Sequence, residues 1–439
     1  MLKRKIIDYL SEWKSDTDRK PVVIKGCRQC GKTFAVQQFA SENYESSIYI
    51  NFFEKPEIAG VFSGNLSVDN MIMGLSAILG ANAHFIPGKT VIIMDEIQEC
   101  PGARTSLKFW KLDGRYDVIA TGSLLGVKGY SEKTTSIPVG YEDIIQMFPL
   151  DFEEFLWANG IDDAVIKMLR DHLKDHTPVP EPFHSRLKEL ILQYTVIGGM
   201  PSAVQYFIDH KDLSGVLRIQ RAIVTEYRED MIKYADAPDK PLITECFDSI
   251  PKQLAKENKK FQYGLVKKGS TASKFSGSLR WIEEAGIIAR CYNLSITELP
   301  LDGNAEKDVF KVYMVDSGLF ISMLEDGTQF DILQGNLHAY KGAIFENLIA
   351  DIFSKMQRKL YYFHKDSGLE IDFVTRYDNE CTLVEIKART GNTKSSRTIL
   401  NHPEKYHVKR CIKMGDYNVA FENGILTLPT YMCFLLDSY

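Results

Sequence analysis

Four short apolar runs punctuate the first part of the chain, at residues 21–24, 47–51, 90–96 and 117–123. The segment FAVQQFASE after the first run carries its apolar residues at helical spacing. Residues 91–94, Val-Ile-Ile-Met, are apolar without interruption, which predicts a strand buried on both faces. Strands alternating with helices predict an α/β domain on a parallel sheet with helices on both faces.

Further on the punctuation changes. Residues 174–185, KDHTPVPEPFHS, are rich in proline and polar groups and predict a linker. Helical spacing runs from 186 to about 234, interrupted at Gly198-Gly199-Met200-Pro201, and a polar run leads to a boundary near 238. From 242, LITECFDSIPKQLAKE predicts a helix, and Ser270 or Thr271 caps a second one running through Ile282. GIIAR, the turn-rich ELPLDGNAEKD and VFKVYMVD follow, so the order is helix, helix, two-stranded hairpin, as in a winged helix. The last segment holds an amphipathic helix, KGAIFENLIADIFSKM, and two strands, LEIDFV and LVEIKAR. Four segments result: 1–170, 171–240, 241–325 and 326–439.

A chain of 439 residues is long enough for that division, and 44% hydrophobic with 25% charged residues is ordinary for a globular protein. The net charge of −5 means that contact with nucleic acid has to come from a local patch. One exists: Lys252, Lys256, Lys259, Lys260, Lys267, Lys268, Lys274 and Arg280 face a single acid, Glu257. Such a patch neutralises phosphates without reading sequence, and a winged helix serves equally as a protein contact. The N-terminus MLKRKIIDYLSEWK is too charged for a signal peptide, and no apolar run is long enough to span a membrane. Six of the eight cysteines are scattered singly, which suits a reducing cytoplasm.

The other two, Cys27 and Cys30, form C-x-x-C inside GCRQCGKT. Structural zinc needs four ligands, and no second C-x-x-C exists. The same letters fit G-x-x-x-x-G-K-[ST] between a strand and a helix, the setting of a phosphate-binding loop. In that reading Gly26, Cys27, Arg28, Gln29, Cys30, Gly31, Lys32, Thr33 and Phe34 line the nucleotide. Lys32 reaches the β- and γ-phosphates and Thr33 gives its hydroxyl to Mg²⁺. Asp95, at the end of the buried strand, is the second metal-holding residue, and Glu96 polarises the attacking water. Thr121 and Ser123 end the next strand, where a γ-phosphate sensor or a plain polar turn fits equally well. ATP and Mg²⁺ are thus the expected cofactors.

Near the C-terminus, Glu346 lies on the helix, Asp372 on one strand, and Glu385 with Lys387 on the next. An acid followed by D-x(n)-E-x-K across a hairpin is the layout of restriction-endonuclease-like folds. Residues i and i+2 share a strand face, so Glu385 sits beside Lys387. Glu346, Asp372 and Glu385 are candidate Mg²⁺ ligands, with Lys387 to steady developing charge. Glu370 and His364 lie close to Asp372, Glu370 as an additional ligand.

The stretches KGCRQCGKT, VIIMDEIQECP, VIATGSLLG, FPLDFEEFL, YTVIGGMP, GAIFENLIA, LEIDFV and LVEIKAR together resemble a prokaryotic group of AAA-type ATPases. That group is fused to a C-terminal domain long labelled as of unknown function. The resemblance implies ATP binding and hydrolysis, and admits a homo-oligomer. It also implies an arginine shortly before FPLDFEEFL, where this chain has SIPVGYEDIIQM; Arg104 and Arg115 are the substitutes. The expected fold is α/β: a P-loop parallel-sheet ATPase domain, a helical and winged-helix middle, and a restriction-endonuclease-like α/β domain. Two functions follow. In one, nucleotide state is coupled to a DNA-binding, nuclease-like half. In the other, ATP drives a conformational switch whose C-terminal domain is a silent interaction module.

Overall fold

A computed structural model describes residues 2–80, 83–123, 139–234, 240–256, 260–336, 341–387 and 394–436. The chain divides into two compact units. The first is Lys3–Pro149 with Glu284–Gly286, and the second begins at Leu150.

The first unit is built on five strands: β1 (Val22–Lys25), β2 (Ser46–Asn51), β3 (Thr90–Asp95), β4 (Asp117–Gly122) and β5 (Asp143–Gln146). They form one parallel sheet in the order β2-β3-β4-β1-β5. β3 is buried along its whole length and Val22, Val23 and Ile24 of β1 have no exposed surface. That is the burial an uninterrupted apolar run requires when helices cover both faces. Parallel strands end on one edge of the sheet, and β4 lies between β1 and β3. The carboxyl ends of these three strands therefore bring residues 25–33, 95–96 and 121–123 together.

The second unit opens with helices Phe152–Ala158, Asp163–Asp175, Glu181–Ile197, Pro201–His210 and Leu213–Tyr234. Sequence patterning extends the first segment to 170, whereas the compact unit closes at Pro149. The reason is local: the Leu150 N–H donates to Gly199 O at 2.7 Å and its carbonyl accepts from Tyr194 Oη at 2.9 Å.

Helices Lys240–Leu254, Tyr263–Val266 and Ala272–Glu284 follow, then β6 (Ile288–Leu294) and β7 (Ala305–Met314) as an antiparallel pair. This hairpin does not stand alone. β8 (Leu360–His364) pairs parallel to β6, and β9 (Glu370–Ile371) completes the sheet β7-β6-β8-β9. The sheet thus crosses residue 326, where patterning placed a boundary. A second sheet holds β10 (Phe373–Tyr377), β11 (Glu380–Lys387), β12 (Arg410–Gly415), β13 (Ala420–Glu422) and β14 (Ile425–Pro429), in the order β10-β11-β12-β14-β13. Of these, β11, β12 and β14 are mutually parallel. Helix Lys341–Lys355 precedes β8, and helix Lys394–Leu400 joins β11 to β12.

A buried polar cluster joins the helical part of this unit to the strands. Lys355 Nζ lies 2.7 Å from Asp351 Oδ1 and 3.6 Å from Asp316 Oδ2, and donates to Tyr194 Oη at 2.9 Å. Asp316 accepts from the Gly199 and Leu319 N–H groups, and Asp351 from the Ser317 N–H. Each buried charge is thereby paired and hydrogen-bonded, the condition for keeping it inside. Gly198 sits at φ +70°, and a Cβ there would meet Asp316 Oδ1 at 2.2 Å. Gly198→Ala is therefore expected to destabilise by about 3 kcal/mol, from the left-handed backbone and the overlap together. Chemical denaturation with near-ultraviolet circular dichroism checks this; an unchanged midpoint would refute it.

Candidate functional site

β1 delivers the chain at Lys25 into the turn Gly26–Gly31, and helix Lys32–Asn43 starts immediately afterwards. Gln29 and Gly31 hold φ of +62° and +95°. A Cβ on Gly26 would lie 2.1 Å from Met147 O, so only glycine lets the loop pass β5 this closely. Arg4 braces the loop from outside, donating Nη1 to Cys30 O at 2.9 Å and Nη2 to Phe148 O at 2.7 Å. Lys32 Nζ donates to Gly26 O at 3.0 Å and Cys27 O at 2.8 Å. Cys27 and Cys30 are buried free thiols, and Cys30 Sγ lies 3.6 Å from Met147 O. The Cys30 thiol is held down, to about 6, chiefly by its hydrogen bond with Cys27; Lys32 and Arg4 add to this and burial opposes it. Arg28 is half-buried, while Phe34 is exposed on the first helical turn.

Asp95 is the hub of the adjoining strand ends. Its Oδ2 accepts from Thr33 Oγ1 at 2.9 Å and from Tyr49 Oη at 2.7 Å. Its Oδ1 accepts from Thr121 Oγ1 and from the Glu96 N–H at 3.1 Å. Thr121 thus serves Asp95 from the neighbouring strand. Glu96 adopts φ +52°, an uncommon backbone for a non-glycine residue. Its Oε2 accepts from Gln98 Nε2 and, at 3.4 Å, from Ser123 Oγ. The structure therefore gathers Lys32, Thr33, Asp95, Glu96 and Ser123 at one edge. It adds Arg4, Tyr49 and Gln98, which motif spacing does not reveal; Tyr49, the polar residue between Ile48 and Ile50 of β2, was the one legible signal. The two substitute arginines are engaged elsewhere: Arg104 with Glu142 at 2.8 Å, Arg115 with Asp113 at 2.8 Å and Asp69 at 2.6 Å.

The C-terminal acids are arranged differently. Asp372 Oδ2 accepts from the Ile386 N–H at 2.7 Å. Glu385 Oε1 accepts from the Ser396 N–H at 3.0 Å, and its Oε2 lies 2.7 Å from Lys387 Nζ. Glu346 accepts from Tyr313 Oη at 3.1 Å and lies 3.7 Å from Lys311 Nζ. Lys311 also reaches Glu370 at 3.1 Å and lies 4.7 Å from the Tyr362 ring centroid. Lys311 is 1% exposed. Burial favours its neutral form, but Glu346, Glu370 and Asp372 outweigh that and raise its pKa. The Asp372 carboxyl is pushed up to about 7, first by burial and then by Glu346. The acids are thus divided between two internal cations, Lys311 on one side and Lys387 on the other. Among the described residues no group of three His, Cys, Asp or Glu side chains is placed to hold a metal ion. His364 uses its backbone N–H, bonded to Asn293 Oδ1.

Lys252, Lys256, Lys260, Lys267, Lys268, Lys274 and Arg280 are all exposed, and Lys267 pairs with Glu245 at 3.0 Å. Lys259 lies outside the described residues. No helix among the described residues is long and apolar enough to cross a membrane.

A family model described as an AAA domain matches residues 18–156. Two domains of unknown function, DUF8612 and DUF4143, match residues 188–329 and 341–432. No curated protein matches. Among solved structures, the Walker-type ATPase of Pyrococcus abyssi shares 12% identity over 74% of this chain and 96% of its own, with a TM-score of 0.43. Aeropyrum pernix ORC2, in ADPNP–ADP complexes, shares 13% over 76% and 92%, at 0.39. AMPPCP-bound DnaA from Aquifex aeolicus shares 13% over 64% and 86%, at 0.29. The family match, joined to the loop and strand-end geometry, is what makes the N-terminal part an AAA-type P-loop ATPase domain. The domains of unknown function come after it.

Proposed function

We propose that this protein is an ATP-driven switch: its N-terminal domain binds and hydrolyses ATP with Mg²⁺, and its C-terminal half is a catalytically silent interaction module. The hydrogen bond from Thr33 to Asp95, beside Lys32 and Glu96, carries the first part. Residues 26–34 cradle the phosphates with backbone N–H groups at a helix N-terminus. Lys32 neutralises the β- and γ-phosphates. Thr33 and Asp95 are hard oxygen donors suited to Mg²⁺, which when bound neutralises charge on the phosphates. Glu96, oriented by Gln98 and Ser123, takes the proton of the attacking water.

Lys311 carries the choice between the two functions. A lysine buried among Glu346, Glu370 and Asp372 supplies the positive charge that a nuclease centre takes from its metal. The restriction-endonuclease-like fold has support of its own in the order helix Lys341–Lys355, β8, β9–β10, β11, helix Lys394–Leu400, β12. Fold does not fix activity. Within the second unit, residues 171–240 and 241–325 act as helical connector and winged-helix-like segment, with 326–439 as the nuclease-like module. The exposed basic residues of 252–280 offer DNA a salt-sensitive contact. Eight free cysteines suit the cytoplasm.

The test incubates the full chain with supercoiled plasmid and linear duplex in Mg²⁺ or Mn²⁺, with and without ATP, while phosphate release is followed. Phosphate release without strand cleavage is expected. Metal-dependent nicking that disappears in Asp372→Ala would overturn the silent half, and absence of phosphate release would overturn the ATPase.

A further inference from the structure

Three parallel strands of the second unit, β11, β12 and β14, end beside one another at Lys387, Gly415 and Pro429. A cavity of about 280 Å³ opens there, lined by Lys387, Gly415 and Thr430 at these ends. In open α/β sheets the crevice at the carboxyl ends of the strands is where ligands bind. The first turn of helix Lys341–Lys355 forms another wall through Lys341, Ile344 and Phe345. The N-terminal end of a 15-residue helix carries a partial positive charge. Lys188 and Asp416 complete the charged rim.

Among the described residues the charges leave one unbalanced cation. Three ammonium groups line the cavity. Lys188 is ion-paired with Asp416, and Lys387 with the buried Glu385. Lys341 has no ion pair with a described residue, and it stands at the positive end of its helix. The remaining walls are mostly apolar, including Leu192, Ile344 and Phe345, with Gln334 and Thr430 as polar members. We infer that this cavity binds a small organic anion: one anionic head group, phosphate or carboxylate, on an apolar or aromatic body. The head lies by Lys341 and the helix terminus, and the body lies against Leu192 and Phe345. The cavity shares Lys387 with the nuclease-like constellation, but Lys311, Glu346 and Asp372 do not line it.

Calorimetry on the full chain tests it with two probes that do not mimic ATP. Phenyl phosphate represents a phosphate on an aromatic body, and octanoate a carboxylate on an aliphatic one. Binding of at least one with a Kd of about 1 mM or tighter is expected for so few ligand atoms, and which of them binds identifies the head group. Lys341→Glu is expected to weaken it at least about tenfold. Leu192→Trp, which fills the apolar end, is expected to abolish it while the melting temperature stays within a few degrees. No heat from either probe at 10 mM overturns the inference, as does a Kd indifferent to both substitutions. A short DNA duplex that displaces the probe with the same Lys341 dependence also overturns it, because the lysines would then belong to a nucleic-acid surface.

Discussion

Glu96→Gln is expected to lower ATP turnover by about 100-fold or more while leaving nucleotide affinity within about twofold. A positioned general base contributes on the order of 10²–10⁴ in rate. The amide keeps Glu96's size and its contacts with Gln98 and Ser123, but cannot accept the proton of water. Lys32→Ala should differ in kind: it removes a charge from the phosphates themselves, so affinity and turnover fall together. Phosphate release paired with equilibrium binding of a fluorescent ATP analogue separates the two outcomes. Turnover in Glu96→Gln within a few fold of wild type would move the base to another residue.

Lys311→Met carries the second large expectation. Removing one partner from a buried ion pair costs about 3–5 kcal/mol, because the other charge stays in a poor solvent. Here Glu346 loses its cation while Asp372 stands nearby, already pushed up to about 7 by burial and by Glu346. The variant should therefore be less stable than wild type by an amount of that order in metal-free buffer. It should also gain a stabilising response to Mn²⁺ larger than any in wild type, since vacated carboxylates offer hard oxygen ligands. Thermal unfolding against Mn²⁺ concentration reads this directly. Lys311→Met with Glu346→Gln removes both charges and should recover most of the lost stability without the response to metal. An equal Mn²⁺ response in wild type and Lys311→Met would show that the lysine does not occupy the cation's place.

The raised Asp372 pKa adds a pH sign to the same experiment. A carboxyl whose folded pKa lies above its unfolded value of 3.8 favours the folded state when protonated. Its stabilising contribution is complete below about pH 4 and is lost as pH rises through about 7. Asp372→Asn should flatten stability over that interval and be relatively more stable than wild type above pH 7.

Much of the nucleotide site was legible because its parts are local. The loop, the helix behind it and the acidic end of a buried strand each declare themselves within about ten residues. β1, β2, β3 and β4 were read from apolar runs for the same reason. β5 was not: three of its four residues are half-buried and Ile144 is exposed, and their pattern carries neither an apolar run nor clean alternation. The strand β8 was passed over as well, and with it the fact that the β6–β7 hairpin is part of a larger sheet. Pairing of β6 with β8 joins residues some 70 positions apart, and no periodicity in either strand marks the partner.

By itself, then, the sequence determined the chemistry available at each end of the protein: a phosphate loop with its acidic strand end, and acids with a lysine across a hairpin. It did so because motif spacing and burial periodicity are properties of neighbouring residues. Only the tertiary structure decided which charges meet. Lys311 reads in the chain as one polar residue in an apolar strand, yet folding sets it between Glu346 and Glu370, where a metal was expected. YTVIGGMP reads as a helix interruption, yet it packs against Asp316 and Lys355. The free energy of a buried ion is set by whatever lies within a few ångströms of it, and across a sheet those neighbours come from distant parts of the chain.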